Sequence, residues 1–362
     1  MSDSVTSNPS SRIRYIDVAK GIGILLVVLG HLMIPGQLLK DCIYAFHMPL
    51  FLVLSGYFEK DGADIVGRFK KLSKRLYLPF VCFLIIDTIW AIAKYSFAGA
   101  EGFDISRMQK WSVPIFKVFS KALVGHSYLY NLPLWFLFSL FIIKIVYTII
   151  SQIGNKKIRH AIIISIMAIA FAYMFIFKDL GIYNRHLPVY AILPSFFFYS
   201  IGYFSKNAIK KPNTILQDND RKHFRLLMGA AVIAGILLPL LVKYNGYTEI
   251  YGCQFRRPPL LVFNGLLGTF AIITVSAFIS NNQALKRICD FFSFWGRNSI
   301  KVLVTHYILT DHLFIWIYIK LDILDLMITP LHEFCLFILT VAIEYIIVLC
   351  ANRFLLFIKN KE

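Results

Sequence analysis

Apolar stretches of about twenty residues recur along almost the whole of this chain, and nothing else restricts its fold so tightly. A helix needs roughly 20 apolar residues to cross the hydrocarbon core of a bilayer. Ten stretches of that kind lie near residues 13–34, 39–58, 76–97, 132–151, 159–178, 187–205, 225–243, 259–280, 297–318 and 327–357. The last is long enough to be tilted or partly interfacial. A transmembrane barrel would instead show short strands of alternating polarity. Hydrophobic residues make up 58% of the chain and mean hydropathy is +0.66, against about 45–50% apolar in soluble domains. The expected fold is an all-α membrane protein, a polytopic bundle of about ten transmembrane helices.

The charges orient this bundle. Cytoplasmic loops collect Lys and Arg. Here the cations cluster after the second stretch (Lys60, Arg68, Lys70, Lys71, Lys74, Arg75), the fourth (Lys156, Lys157, Arg159), the sixth (Lys206, Lys210, Lys211, Arg221, Lys222, Arg225) and the eighth (Lys286, Arg287, Arg297). All fall on one side if both termini share it, so both termini are expected to be cytoplasmic. The net charge of +18 follows from this bias, and no nucleic-acid partner is expected. Residues 1–12 read as a polar cytoplasmic tail, without the cleavage site of a removed leader. Residues 1–362 read as a single integral-membrane domain. The longest opposite-side loop, about 98–131, carries Trp111, Pro114, His126 and Tyr128 and could form a lid; residues 65–76 look like a basic amphipathic segment along the membrane surface. The six cysteines show no paired ligand spacing, so no metal is expected; a Cys42–Cys253 disulfide is conceivable if both lie on one side.

Ionisable groups inside apolar segments are costly and usually face a protein interior or a water-filled path. The first stretch, YIDVAKGIGILLVVLGHLM, holds Asp17, Lys20 and His31. Lys20 and His31 are eleven residues apart, so on a helix they share a face to within about 20° and stand about 16 Å apart along it. Asp17 lies one turn from Lys20 and can pair with it. A snorkelling lysine and an interfacial histidine would satisfy the same pattern.

The second stretch carries FHMPLFLVLSGY, with His47 close enough in sequence to approach His31, Pro49 read as lying in a first helical turn, and Ser55 and Gly56 as packing residues. The run RFKKLSKRLYLP follows; its cations could bind anionic lipid heads or the phosphates of a nucleotide-bearing donor. NLPLWFL places Trp135 at the outer interface. GRNSIKVLVTH ends on His306, with Asp311 and His312 beyond it: a proton path, a substrate site, or core residues paired with each other. Glu344 in the last stretch is equally ambiguous. Lys20, Asp17 and His306 would also suit the charge relay of a transporter or flippase, although the inverted repeats of such proteins are not visible. A structural membrane partner needs none of these residues.

Together these motifs resemble the integral-membrane acyltransferase-3 family, which includes bacterial O-acetyl- and O-succinyltransferases of cell-surface carbohydrates. The resemblance is carried by Tyr15-Ile16-Asp17, Lys20, His31, FHMPLFLVLSGY, the basic run to Pro79, NLPLWFL and GRNSIKVLVTH, in the family's order along essentially the whole chain. It implies a multi-pass protein of the bacterial inner membrane that moves an acyl group from cytoplasmic acyl-coenzyme A, with acetyl-coenzyme A the expected donor, to a carbohydrate hydroxyl on a lipid-linked glycan or polysaccharide. The first-span pattern of a basic residue, ten positions and a histidine maps onto Lys20 and His31, in the lysine form. His31 is then the expected catalytic base or acyl carrier, with Lys20 and Asp17 beside it. Lys71, Lys74 and Arg75 are the expected donor-phosphate ligands, although the family's paired-arginine motif is not reproduced there. His47, Trp135 and His306 are the candidates for holding the acceptor.

Overall fold

The computed structural model describes residues 13–32, 37–62, 64–98, 120–125, 131–177, 187–206, 221–314, 317 and 330–359. Most of the 98–131 loop, with Trp111, Pro114, His126 and Tyr128, lies outside the described residues, as do the side chains of Asp311 and His312. Among the described residues the structure is helical, and the one β-bridge joins Glu249 to Gln254. The helices are α1 (Arg14–His31), α2 (Gln37–Tyr57), α3 (Ile65–Leu72), α4 (Leu78–Ala98), α5 (Leu134–Ile150), α6 (Lys156–Phe177), α7 (Ile192–Phe204), α8 (Arg221–Asn245), α9 (Pro258–Asn281), α10 (Lys286–Arg297), α11 (Ser299–Tyr307) and α12 (Pro330–Lys359). A π-helical turn, Ser73–Tyr77, joins α3 to α4, and another, Ile308–Phe314, extends α11.

Every stretch expected to span contains a helix. Among the described residues five of them, within α2, α6, α8, α9 and α12, are long and apolar enough by themselves to cross a membrane. The apolar helices at 134–150, 188–204 and 299–310 are shorter. Burial sorts the long helices into two layers. The crossing window of α2 is 67% buried, whereas those of α6, α8 and α12 are only 17% to 22% buried. Ile164, Ile176, Ile236, Leu240, Ile338 and Ile346 point outward from these outer helices. So much contiguous exposed apolar surface suits lipid and not water.

At the centre, α1 lies against α10, α9 and α2, and α2 lies against α7 and α9. Glycines permit these approaches. A Cβ on Gly56 would fall 1.9 Å from the Tyr199 carbonyl oxygen, and one on Gly202 would fall 1.9 Å from that of Val53. The α2–α7 crossing is therefore backbone against backbone, the contact small residues provide between membrane helices. Gly21 of α1 makes the same contact with Phe292 of α10 at 1.9 Å.

Two local expectations are corrected. Pro49 does not sit in a first turn: α2 begins at Gln37, so the proline is deep inside the helix. Its ring projects toward Gly265 of α9, where an added Cβ would meet it at 2.9 Å. Residues 286–297, read as a loop, form α10, whose polar and apolar residues alternate at helical period. Cys289, Ser293 and Trp295 are buried while Arg287, Asp290 and Phe291 are exposed. A twelve-residue amphipathic helix lacks the length of a span, which is why an apolar-run reading passes over it. Arg14 reinforces its packing with a 2.5 Å ion pair to Asp290.

Candidate active site

Lys20 lies in the second turn of α1 and His31 at its last residue. Lys20 lies 5.2 Å from the Phe58 ring, just past the end of α2, and His31 meets Tyr44 near the start of that antiparallel helix. Around His31 three helices converge. Its ring lies 5.2 Å from that of His306 and 5.3 Å from that of Tyr307, both on α11. The Tyr44 hydroxyl is 3.4 Å from His31 Nδ1, and the Tyr44 ring is 5.1 Å from that of His47.

The hydrogen bonds fix the proton positions of two of these histidines. His47 Nδ1 is 2.7 Å from the Ile43 carbonyl oxygen and His306 Nδ1 is 2.7 Å from that of Val302. A carbonyl can only accept, so each Nδ1 carries hydrogen and each neutral ring keeps its lone pair on Nε2. The four-residue offset within a helix makes this bond possible, because the side chain leans back over the preceding turn.

A small cavity of about 30 Å³ opens beside His31. Its walls include His31, Tyr44, His47, Trp135, Glu249 and Tyr251. His306 is wholly buried behind His31 and does not line it, and neither does Lys20. The sequence grouped His306 with the acceptor contacts; the geometry places it against His31. Trp135 stacks on Tyr251 at 5.7 Å and 14°. Asn131 anchors the segment leading to Trp135, donating from Nδ2 to the Val304 carbonyl at 2.8 Å.

Glu249, Ile250 and Tyr251 come from the tight connection between α8 and α9, closed by paired 249–254 backbone bonds of 3.0 and 2.9 Å. Burial pushes the Glu249 carboxyl up from 4.5 to about 7, against the opposing pull of a Tyr247 hydrogen bond and of Lys40. Cys253 in this connection and Cys42 in α2 are both free thiols.

At the Lys20 end a second polar cluster forms. Glu59 is buried and pairs with Arg68 of α3 and with Lys144 of α5, the latter at 3.3 Å. Tyr199 of α7 donates to the same carboxylate and receives a 2.9 Å bond from Lys144. Arg159 and Tyr203 hold Asp61 nearby, at 3.3 and 3.0 Å. By contrast, Lys71, Lys74 and Arg75 are exposed on the surface of α3 and the π turn, while Leu72 and Leu76 face inward. Asp17 is buried on α1. Glu344 of α12 accepts a 2.8 Å bond from Thr305, one residue before His306.

Sequence reasoning passed over Tyr44, Glu249 and Tyr251 at the cavity, Tyr307 against the His31 ring, and Glu59, Lys144 and Tyr199 at the other end. Lys144 was accessible to the rule that found Lys20, being a cation within LWFLFSLFIIKIVYTII. The others carry no local pattern.

Residues 13–349 match the model of the acyltransferase-3 family, described as an acyltransferase domain. The chain is also 25% identical over 300 residues to the nodulation protein NolL of Sinorhizobium fredii, covering 76% of this chain and 71% of that protein. No solved structure matches it. A family match running from the residue before α1 to beyond Glu344 takes in both polar clusters, and the chain belongs to the acyltransferase-3 family.

Proposed function

We propose that this protein is an O-acyltransferase of the bacterial inner membrane. It takes an acyl group, acetyl in the first instance, from acyl-coenzyme A on the cytoplasmic side. The acceptor is a hydroxyl of a lipid-linked or cell-surface carbohydrate at the opposite face. The observation that carries this reading is the cavity on which His31, Tyr44, His47 and Glu249 converge from separate parts of the chain. Coenzyme A is a polyanion with a long thin arm. Its phosphates would meet Lys71, Lys74 and Arg75, and the arm would run along α1 from Lys20 to His31. Both termini are then cytoplasmic.

The transfer needs one base. Neutral His31 takes the proton of the acceptor hydroxyl as its oxygen attacks the thioester carbonyl. The carbon–sulfur bond breaks as the carbon–oxygen bond is completed, and the thiolate recovers the proton from the imidazolium. No oxidant, metal or external proton enters this balance. His47, with its Nε2 lone pair, and Glu249 line the same space and can hold neighbouring hydroxyls. Trp135 supplies an apolar wall of the kind a sugar ring lies against.

The test is incubation of purified protein in lipid nanodiscs with acetyl-coenzyme A labelled in the acetyl group and a panel of glycan acceptors. The expected result is label transferred to glycan and lost on mild alkaline treatment, as an ester is. Donor left intact with every acceptor would overturn the proposal.

A further inference from the structure

His306 has a buried lone pair with no hydrogen-bond partner among the described residues. Its Nδ1–H is committed to the Val302 carbonyl, its side chain is fully buried, and its Nε2 is unpartnered. An orphaned buried acceptor costs about 1–3 kcal/mol, so its retention asks for a reason. The ring it faces at 5.2 Å is that of His31. His31 differs from His47 and His306 in that no backbone carbonyl fixes its tautomer among the described residues. Its Nδ1 lies toward the Tyr44 hydroxyl, and its Nε2 is the nitrogen that Tyr44 does not engage.

We propose that His306 is a positioning residue for His31: its Nε2 accepts, through one bridging water, the Nε2–H of His31, and so keeps the His31 lone pair on Nδ1, toward Tyr44 and the cavity. The inference rests on the acyl-transfer reading and adds to it which nitrogen of His31 works and what holds it there. The chain of donors then runs one way, from His31 Nε2–H through the water to His306 Nε2 and from His306 Nδ1–H to the Val302 carbonyl. An acceptor behind a catalytic imidazole selects its tautomer and stabilises the imidazolium formed when it takes a proton, the task a carboxylate performs in serine hydrolases. A neutral imidazole performs it here without placing a charge in the apolar interior, where an unpaired ion is costly.

Other titratable groups surround His31 and set the background for its protonation. From α2 these are Tyr44, His47 and Lys40, whose charge reaches His31. From α11 there is Tyr307, from the α8–α9 connection Glu249, and from α12 Glu333, close to Lys40. None of these replaces an acceptor lone pair placed behind the ring.

The experiment compares wild type, His306→Leu and His306→Gln, with two readouts. In acyl transfer, His306→Leu is expected to lower kcat about 10–100-fold, the usual cost of losing a supporting partner, with donor KM unchanged. The acidic limb of kcat/KM should move to lower pH, because removing the acceptor makes His31 less basic. In His306→Gln the amide oxygen can take the place of Nε2 and should restore most of the rate and the limb. The second readout needs no turnover: the nitrogen-15 shifts of labelled histidine in nanodiscs should report His31 protonated on Nε2 in wild type and a tautomer mixture in His306→Leu. Wild-type protein without transferase activity would sink the functional reading while the shifts still decide this one. Equal impairment of both variants with an unmoved limb and unchanged shifts would make His306 a packing residue only, and an unimpaired His306→Leu would remove it altogether.

Discussion

Gly296 stands so close to Asp17 that a β-carbon on it would fall 1.8 Å from the Asp17 carbonyl oxygen. Gly21, one turn further along α1, meets Phe292 at 1.9 Å. The two glycines set α1 against α10 backbone to backbone, and α1 carries His31. Gly21→Ala and Gly296→Ala are therefore expected to destabilise by more than the about 1–3 kcal/mol of an ordinary overpacked core, since backbone cannot move aside as a side chain can. Gly229→Ala, with nothing near its would-be Cβ, is the matched control. Thermal unfolding in detergent and the amount of protein in the membrane would check all three.

His31→Ala is expected to lower transfer by the 10²–10⁴-fold typical of a lost general base while leaving membrane accumulation unchanged. A rate measurement on equal amounts of folded protein decides it. Full activity in that variant would remove His31 from the chemistry.

Glu59 sits between Arg68 and Lys144 with its carboxylate almost fully enclosed. Removing one member of a buried ion pair costs about 3–5 kcal/mol, because the remaining charge is left uncompensated. Glu59→Gln and Lys144→Met should each approach that loss, and the double variant should lose clearly less than their sum. Denaturant or thermal melts of the four proteins would measure the coupling.

Glu249 predicts a pH-dependent gain. Its carboxyl is pushed from 4.5 to about 7 in the fold, so the protonated form is the one the fold favours. That stability is fully present below about pH 4.5 and is lost as pH rises through about 7. Glu249→Gln, which stays neutral, should thus be more stable than wild type at pH 8 by up to about 3 kcal/mol, at about 1.4 kcal/mol per unit. The difference should vanish below pH 4.5. A melting series from pH 4 to 8 on both proteins tests the slope.

Neutralising Lys71, Lys74 and Arg75 together is expected to raise the donor KM several-fold with kcat little changed, and to flatten its dependence on salt. An unchanged donor KM, with altered binding to anionic vesicles, would assign these exposed cations to lipid instead.

Much of the architecture was legible because lipid imposes one rule on every span. Apolar runs of sufficient length announced the helices, and a rare ionisable residue within one announced Lys20 and His31. The same signals could not announce α10, too short and too amphipathic to resemble a span, although it is a principal support of α1. Pro49 misled for a related reason: it lies deep in α2 with its ring against Gly265, more than two hundred residues away. His47 and His306 were visible as residues, yet their proton positions depend on backbone bonds within α2 and α11. Glu249 and Tyr251 lie in a polar connection where nothing local distinguishes them, and only the packing of α8 against α9 brings them over His31.

That connection has an evolutionary corollary. His31 and its neighbours belong to helices locked by glycine contacts and buried bonds, whereas one side of the cavity is a single tight turn with positive φ at Cys253 and Arg256. Under the proposed function, rewriting that turn would change the shape and charge presented to the acceptor while leaving His31 and its neighbours in place. A lineage built on this plan could diversify what it decorates by altering one short segment and leaving the membrane core alone.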